Sequence, residues 1–185
     1  MDRGPDSCHV IDYLQALQGP EGAQIINLKG NHEAMMLDAL LRNESKTMWL
    51  NNGGDATMES YQSAGYDTVP DSHLDWLSRL PNLHVEQSSK LIFVHAGIDV
   101  LAWPTLREDV HLWTRSPRFF KTEQWTNPAL DGWTVIHGHT PTDDFYPETV
   151  GTSARRINLD TGACFGGRLT AAKLHPQTDV EFLYA

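Results

Sequence analysis

Three short apolar runs in this chain each stop on residues able to bind a metal ion, with a small residue beside the stop. Gln24-Ile25-Ile26-Asn27-Leu28 leads into Lys29-Gly30-Asn31-His32-Glu33. Lys90 to Val94 leads into His95-Ala96-Gly97, and Trp133 to Ile136 leads into His137-Gly138-His139-Thr140. Runs this short and this rich in β-branched residues read as buried strands. Gly30, Ala96 and Gly138 let the backbone turn sharply and approach a ligand closely. In open α/β sheets, ligands bind just beyond the C-terminal ends of strands, so three such ends are expected to converge on one crevice. Taken singly, a histidine at the end of a buried strand is more often a core residue with a local partner. The recurrence of one arrangement three times favours a ligand set. Two imidazoles and an amide oxygen suit manganese, iron or zinc better than calcium.

The rest of the chain supplies helices and a β-rich end. A helix is expected from Pro5 to about Gln18, capped by Asp6 or Ser7, with Val10, Leu14 and Leu17 on one face and Gly19-Pro20 as its stop. From His32 the period becomes helical again through Met35, Met36, Ala39 and Leu40. Asn51-Asn52-Gly53-Gly54 reads as a loop. Asp71 to Arg79 reads as a helix with Leu74 and Leu77 inward and Pro81 beyond its end. Arg155 to Leu159, Arg168 to Leu174 and Val180 to Tyr184 read as three strands. The expected class is α/β (α+β), a β-sandwich of mixed sheets flanked by helices. No linker stands out, so residues 1–185 are expected to form a single domain.

Charge narrows the function. Lys and Arg number 14 against 24 Asp and Glu, a formal charge of −10. That argues against a nucleic-acid partner bound through a basic face. An anionic substrate would have to be held by local arginines or metal ions. The two cysteines, Cys8 and Cys164, exclude a disulfide framework. No apolar run is long enough to span a membrane. A cytoplasmic protein without a membrane partner is therefore expected. Of the nine histidines, His9, His73, His84, His111 and His175 read as surface or structural. His137 is expected to pack at its strand end and Glu33 to support a helix start. Asp160 either orients a histidine or stabilises a turn.

Asp2-Arg3-Gly4, Gly30-Asn31-His32-Glu33, Val94-His95-Ala96-Gly97 and Gly138-His139-Thr140 occur in one order along essentially the whole chain. Together with Trp113-Thr114-Arg115 and Asp160-Thr161-Gly162-Ala163 they resemble the calcineurin-like metallophosphoesterases, more narrowly the bacterial and phage serine/threonine protein phosphatases. The resemblance implies that Asn31, His95 and His139 are ligands of the second of two metal ions. It implies that His32 protonates the leaving oxygen and that Asp2 orients His32. Arg3 and Arg115 match the arginines that clamp the substrate phosphate. It further implies divalent ions, manganese first and iron or zinc as alternatives, and a phosphorylated protein or small phosphoester as substrate.

The family pattern also has a Gly-Asp pair before Asp-Arg-Gly and a Gly-Asp-x-His-Gly block further upstream, which this sequence does not contain. The expectation is an N-terminally incomplete domain, short of roughly 50 residues or one strand–helix–strand unit. Such a chain would bind at most one ion and have little activity. Two alternatives stand beside the protein phosphatase: a symmetrical dinucleoside polyphosphate hydrolase, and an inactive remnant or binding module. The oligomeric state is not legible in the sequence.

Overall fold

Helices fill Met1–Pro81, and a mixed sheet organises Asn82–Ala185; these are two compact units of the chain. The computed structural model describes residues 1–152, 155–175 and 179–185.

The first unit holds α1 (Ser7–Ala16), α2 (Asn31–Leu41), α3 (Lys46–Trp49), α4 (Asp55–Ser63) and α5 (Asp71–Arg79). Cys8, Ile11, Met35, Met36, Trp49, Tyr61, Leu74 and Leu77 form its core. α2 starts where Gly30 is still extended (φ −102°, ψ 176°). Glu33 closes the start by accepting from the Gly30 N–H at 2.7 Å, the supporting role expected of it. α5 has the expected limits and buries Leu74 and Leu77.

Three expectations fail in this unit, each for a physical reason. α1 buries Ser7, Cys8 and Ile11, whereas Val10 is 46% exposed. Its inner face is set by polar contacts: the Cys8 N–H donates to Ser60 Oγ at 3.0 Å, and the Ser7 and Thr57 hydroxyls lie 3.0 Å apart. Asp6 at its N-cap makes no side-chain capping bond. Gln24 to Leu28 forms no strand, because among the described residues no ladder runs beside it. Apolar β-branched composition supplies the propensity, but a strand also needs a neighbour. Asn51 to Gly54 is tighter than an open loop: it is a kink joining α3 to α4, in which Asn52 (φ −102°, ψ 17°) and Gly53 (φ 98°, ψ 11°) leave the helical region.

The second unit has a five-stranded sheet ordered β1-β2-β3-β5-β4 and a separate β6-β7 hairpin. The strands are β1 (Leu83–Glu86), β2 (Leu91–Val94), β3 (Thr134–His137), β4 (Glu148–Val150), β5 (Arg156–Asn158), β6 (Thr170–Lys173) and β7 (Glu181–Tyr184). β2, β3 and β5 run parallel, and β1 and β4 close the edges antiparallel. All four residues of β3 are buried, as befits a central parallel strand. The segment between β2 and β3 carries α6 (Glu108–Trp113) and α7 (Pro117–Phe120). Ile92, Val94, Ile98, Phe119, Trp125, Leu130 and Val135 form the core of this unit. The mixed sheet and its helices agree with the expected α/β class. Edge strands β1 and β4 escaped the sequence reading: β1 is half-buried throughout, and Glu148 and Thr149 are exposed. No helix among the described residues is long and apolar enough to cross a membrane.

Candidate active site

In the first unit, Asp2, Arg3 and His32 meet. The Asp2 side chain is fully buried, and its Oδ2 lies 2.6 Å from His32 Nδ1. His32 is carried on the first turn of α2 and is 16% exposed. Arg3 Nη1 sits 3.1 Å from the opposite nitrogen, His32 Nε2. A guanidinium only donates, so Nε2 accepts here and Nδ1–H donates to Asp2. One imidazole is thus fixed as a single tautomer between a carboxylate and a cation. Asn31, the neighbouring residue of α2, is buried.

The Asp2 carboxylate has two further donors. Trp49 Nε1–H lies 3.2 and 3.3 Å from its two oxygens, and the Thr57 hydroxyl donates to Oδ1 at 2.6 Å. The Asp2 N–H donates to Ser7 Oγ at 3.1 Å. Sequence reasoning missed Trp49, Thr57 and Ser7. The only local signal was the Asn-Asn-Gly-Gly run between Trp49 and Thr57.

In the second unit, His95, His139 and Arg115 meet. His95 follows β2 directly, His139 follows β3 by two residues, and the Gly138 N–H donates to the His95 carbonyl at 2.9 Å. His139 adopts a left-handed conformation, φ 69°, just after Gly138. This geometry brings His95 Nε2 to 3.2 Å from His139 Nδ1, with the rings edge-to-face at 5.0 Å between centroids. Arg115 Nε donates to His139 Nε2 at 3.3 Å, and its Nη2 donates to the His139 carbonyl at 3.4 Å. Two of the three expected strand-end groups therefore come together. The third, at Asn31, opens a helix and does not follow a strand.

The donor chemistry of this second cluster fits a divalent cation. Two nitrogens bonded to one ion at about 2.0–2.1 Å each lie about 3.0–3.4 Å apart. The His95–His139 separation of 3.2 Å falls within that range. Among the described residues, no group of three or more His, Cys, Asp or Glu side chains is placed to hold an ion. An ion at the histidine pair would thus need a ligand of another kind.

Neighbouring groups separate structural from reactive histidines. His137 is 3% exposed; Nδ1–H donates to the Gly138 carbonyl at 2.9 Å, and Nε2 accepts from Arg156 at 3.1 Å. Burial pushes its pKa down to about 3, and the Arg156 charge adds to the effect. His137 is therefore neutral and packs at its strand end, as expected. Asp160 accepts from the Gly162 N–H at 3.1 Å and stabilises a turn. His73 is buried and bonded to Tyr61 and Asp12, a structural role.

The chain was compared with known proteins. No family model matches it. A serine/threonine-protein phosphatase 1 of Salmonella typhimurium is 31% identical over 184 residues, which cover 94% of this chain and 74% of the relative. A serine/threonine-protein phosphatase 2 of Escherichia coli is 29% identical, covering 94% of this chain and 76% of that protein. An asymmetrical bis(5'-nucleosyl)-tetraphosphatase of Geobacillus thermodenitrificans is 27% identical, covering 97% and 74%. A crystal structure named as a candidate diadenosine tetraphosphatase superposes over the whole chain and 76% of its own, with a TM-score of 0.59 and 21% identity. That likeness extends the agreement to the fold.

Proposed function

Because this chain belongs to the calcineurin-like metallophosphoesterases, whose named relatives are phosphatases, we propose that it hydrolyses phosphomonoesters on serine and threonine side chains of proteins. The observation that carries this reading is the 2.6 Å contact between a fully buried Asp2 carboxylate and His32 Nδ1. It leaves Nε2 as the one ring position that can exchange a proton with a substrate oxygen. An alkoxide leaves poorly without a proton, and a positioned acid supplies about 100-fold or more. In this reading His32 takes a proton from solvent at Nε2, once Arg3 no longer occupies it, and gives that proton to the leaving oxygen while Asp2 holds the ring.

Arg3 and Arg115 bind the phosphate oxygens through planar guanidinium groups. Each now donates to the Nε2 of a histidine, at 3.1 and 3.3 Å. A phosphate dianion offers a stronger acceptor, so binding it would draw each guanidinium off its imidazole. For Arg3 and His32 this exchange also uncovers the nitrogen that must carry the proton. His95 and His139 would hold a divalent cation, manganese in the first instance, and the family resemblance adds Asn31 to that ligand set. When bound, such an ion activates water and offsets charge on the phosphoryl oxygens. The partner is a phosphorylated protein or a small phosphoester, met in the cytoplasm without nucleic acid or membrane.

The test is manganese-dependent phosphate release from a phosphoserine peptide. His32→Ala is expected to lower kcat by about 100-fold or more. Full activity in that variant would remove His32 from the mechanism. The tetraphosphatase relative supports a second reading, cleavage of dinucleoside polyphosphates. Diadenosine tetraphosphate turned over faster than the phosphopeptide would favour it. Two ADP would mark symmetrical cleavage, and ATP with AMP asymmetrical cleavage.

A further inference from the structure

We propose that Trp49 and Thr57 are positioning residues for the proton transfer: their N–H and O–H fix the Asp2 carboxylate so that it holds the His32 ring in register. The proposal rests on the reading of His32 as the general acid.

Trp49 and Thr57 are both fully buried, and both point polar atoms at one carboxylate, itself inaccessible to water. A buried carboxylate is costly unless its lone pairs are satisfied. Trp49 spans both oxygens, Thr57 takes Oδ1, and Oδ2 is left to His32 Nδ1–H. With three donors from three helices, the carboxylate cannot rotate without breaking a bond. A change at Trp49 or Thr57 is therefore felt first as a change in where His32 points.

The backbone around this cradle is built to the same end. Asp2 and Arg3 both have positive φ, 64° and 59°. Two successive left-handed residues other than glycine are strained, and such strain persists only where surrounding structure enforces it. The kink within Leu50–Gly54, which lies between Trp49 and α4, packs against that segment here. The Arg3 N–H donates to the Gly53 carbonyl at 3.3 Å. A Cβ on Gly53 would fall 2.5 Å from Arg3 N, so only glycine lets the turn come this close. The kink joins the helix that carries Trp49 to the helix that carries Thr57, so both donors are tied to the turn that meets Arg3.

Two readouts test the proposal on the full chain with manganese. The first is the ratio of kcat/KM on 4-nitrophenyl phosphate, whose leaving group needs little protonation, to kcat/KM on a phosphoserine peptide, whose alkoxide needs it. Trp49→Phe and Thr57→Val should each raise that ratio by about 10-fold, while Thr57→Ser should restore it to near the wild-type value. Equal loss on both substrates, or no loss, would reduce both residues to packing and overturn the proposal. His32→Ala is the control: if it leaves the ratio unchanged, the reading of His32 as the acid fails, and not the cradle. The second readout needs no turnover. The His32 Nδ1–H proton should give a downfield, slowly exchanging NMR signal that vanishes in His32→Gln. Its exchange should quicken about 10-fold or more in Trp49→Phe and Thr57→Val and stay slow in Thr57→Ser. Unchanged exchange in the first two variants would show that Asp2 holds His32 without them.

Discussion

Two clusters in this chain use the same parts to different ends. In each, a histidine presents Nε2 to an arginine and Nδ1 to a second group. For His32 the second group is the Asp2 carboxylate at 2.6 Å; for His139 it is the His95 imidazole at 3.2 Å. A carboxylate accepts from a proton-bearing nitrogen and fixes which way the ring faces, which suits a positioned acid. A second imidazole offers no charge, and once Arg115 leaves His139 Nε2 to carry the ring's proton, two unprotonated nitrogens at that spacing suit a cation. The partner on Nδ1, more than the histidine itself, decides which chemistry is available.

If that contrast holds, variants of the two clusters should fail in different ways. His95→Ala and His139→Ala are expected to weaken manganese binding by about 100-fold or more, measured by calorimetry, and to abolish turnover of every phosphoester. His32→Ala should leave manganese affinity within about 3-fold of wild type and lose activity most on poorly activated leaving groups. Loss of manganese binding in His32→Ala would break the contrast, because it would make His32 part of the cation site.

The arginines sharpen it with a smaller effect. Arg3→Lys and Arg115→Lys keep the charge and lose the planar fork, and each is expected to raise KM about 10-fold. Arg3→Lys should also lower kcat, because Arg3 shares His32 Nε2 with the transferred proton. Arg115→Lys should change KM alone. Identical kinetic signatures would show that the two guanidiniums are interchangeable clamps.

Much of this was legible in the sequence, and the limits are physical. β2, β3 and α5 were readable because each depends on local pattern: apolar runs for the strands, and a stop at Leu80-Pro81 for the helix. The pairings of Asp2 with His32 and of His95 with His139 were implied by the family resemblance that the ordered motifs carry. The inner face of α1 was not readable, because Ser7 and Cys8 are buried by Thr57 and Ser60, about fifty positions away. Neither was the cradle around Asp2, since nothing near Trp49 in the sequence says that its indole N–H points at residue 2. Gln24 to Leu28 shows the converse: strand propensity without a strand, because pairing is not a local property.

A third histidine, His111, marks the other end of the comparison. His111 is 2% exposed, and its Nε2 has no hydrogen-bond partner among the described residues. Its carbonyl accepts from the Ala96 N–H at 2.8 Å, one residue beyond His95. Burial pushes its pKa below the ordinary 6.5, opposed by Asp109 and Glu108. The unfolded chain therefore binds the proton first as pH falls. Stability contributed by the neutral ring is complete above about pH 6.5 and declines as the solution becomes more acidic. His111→Leu removes both the orphaned nitrogen and this proton linkage. It is expected to change stability by less than about 1 kcal/mol at pH 8 and to flatten the acid limb of the urea midpoint between pH 6.5 and 5. An unchanged acid limb would mean that His111 finds a partner for its proton in the folded protein, placing it closer to His32 in kind than its burial suggests.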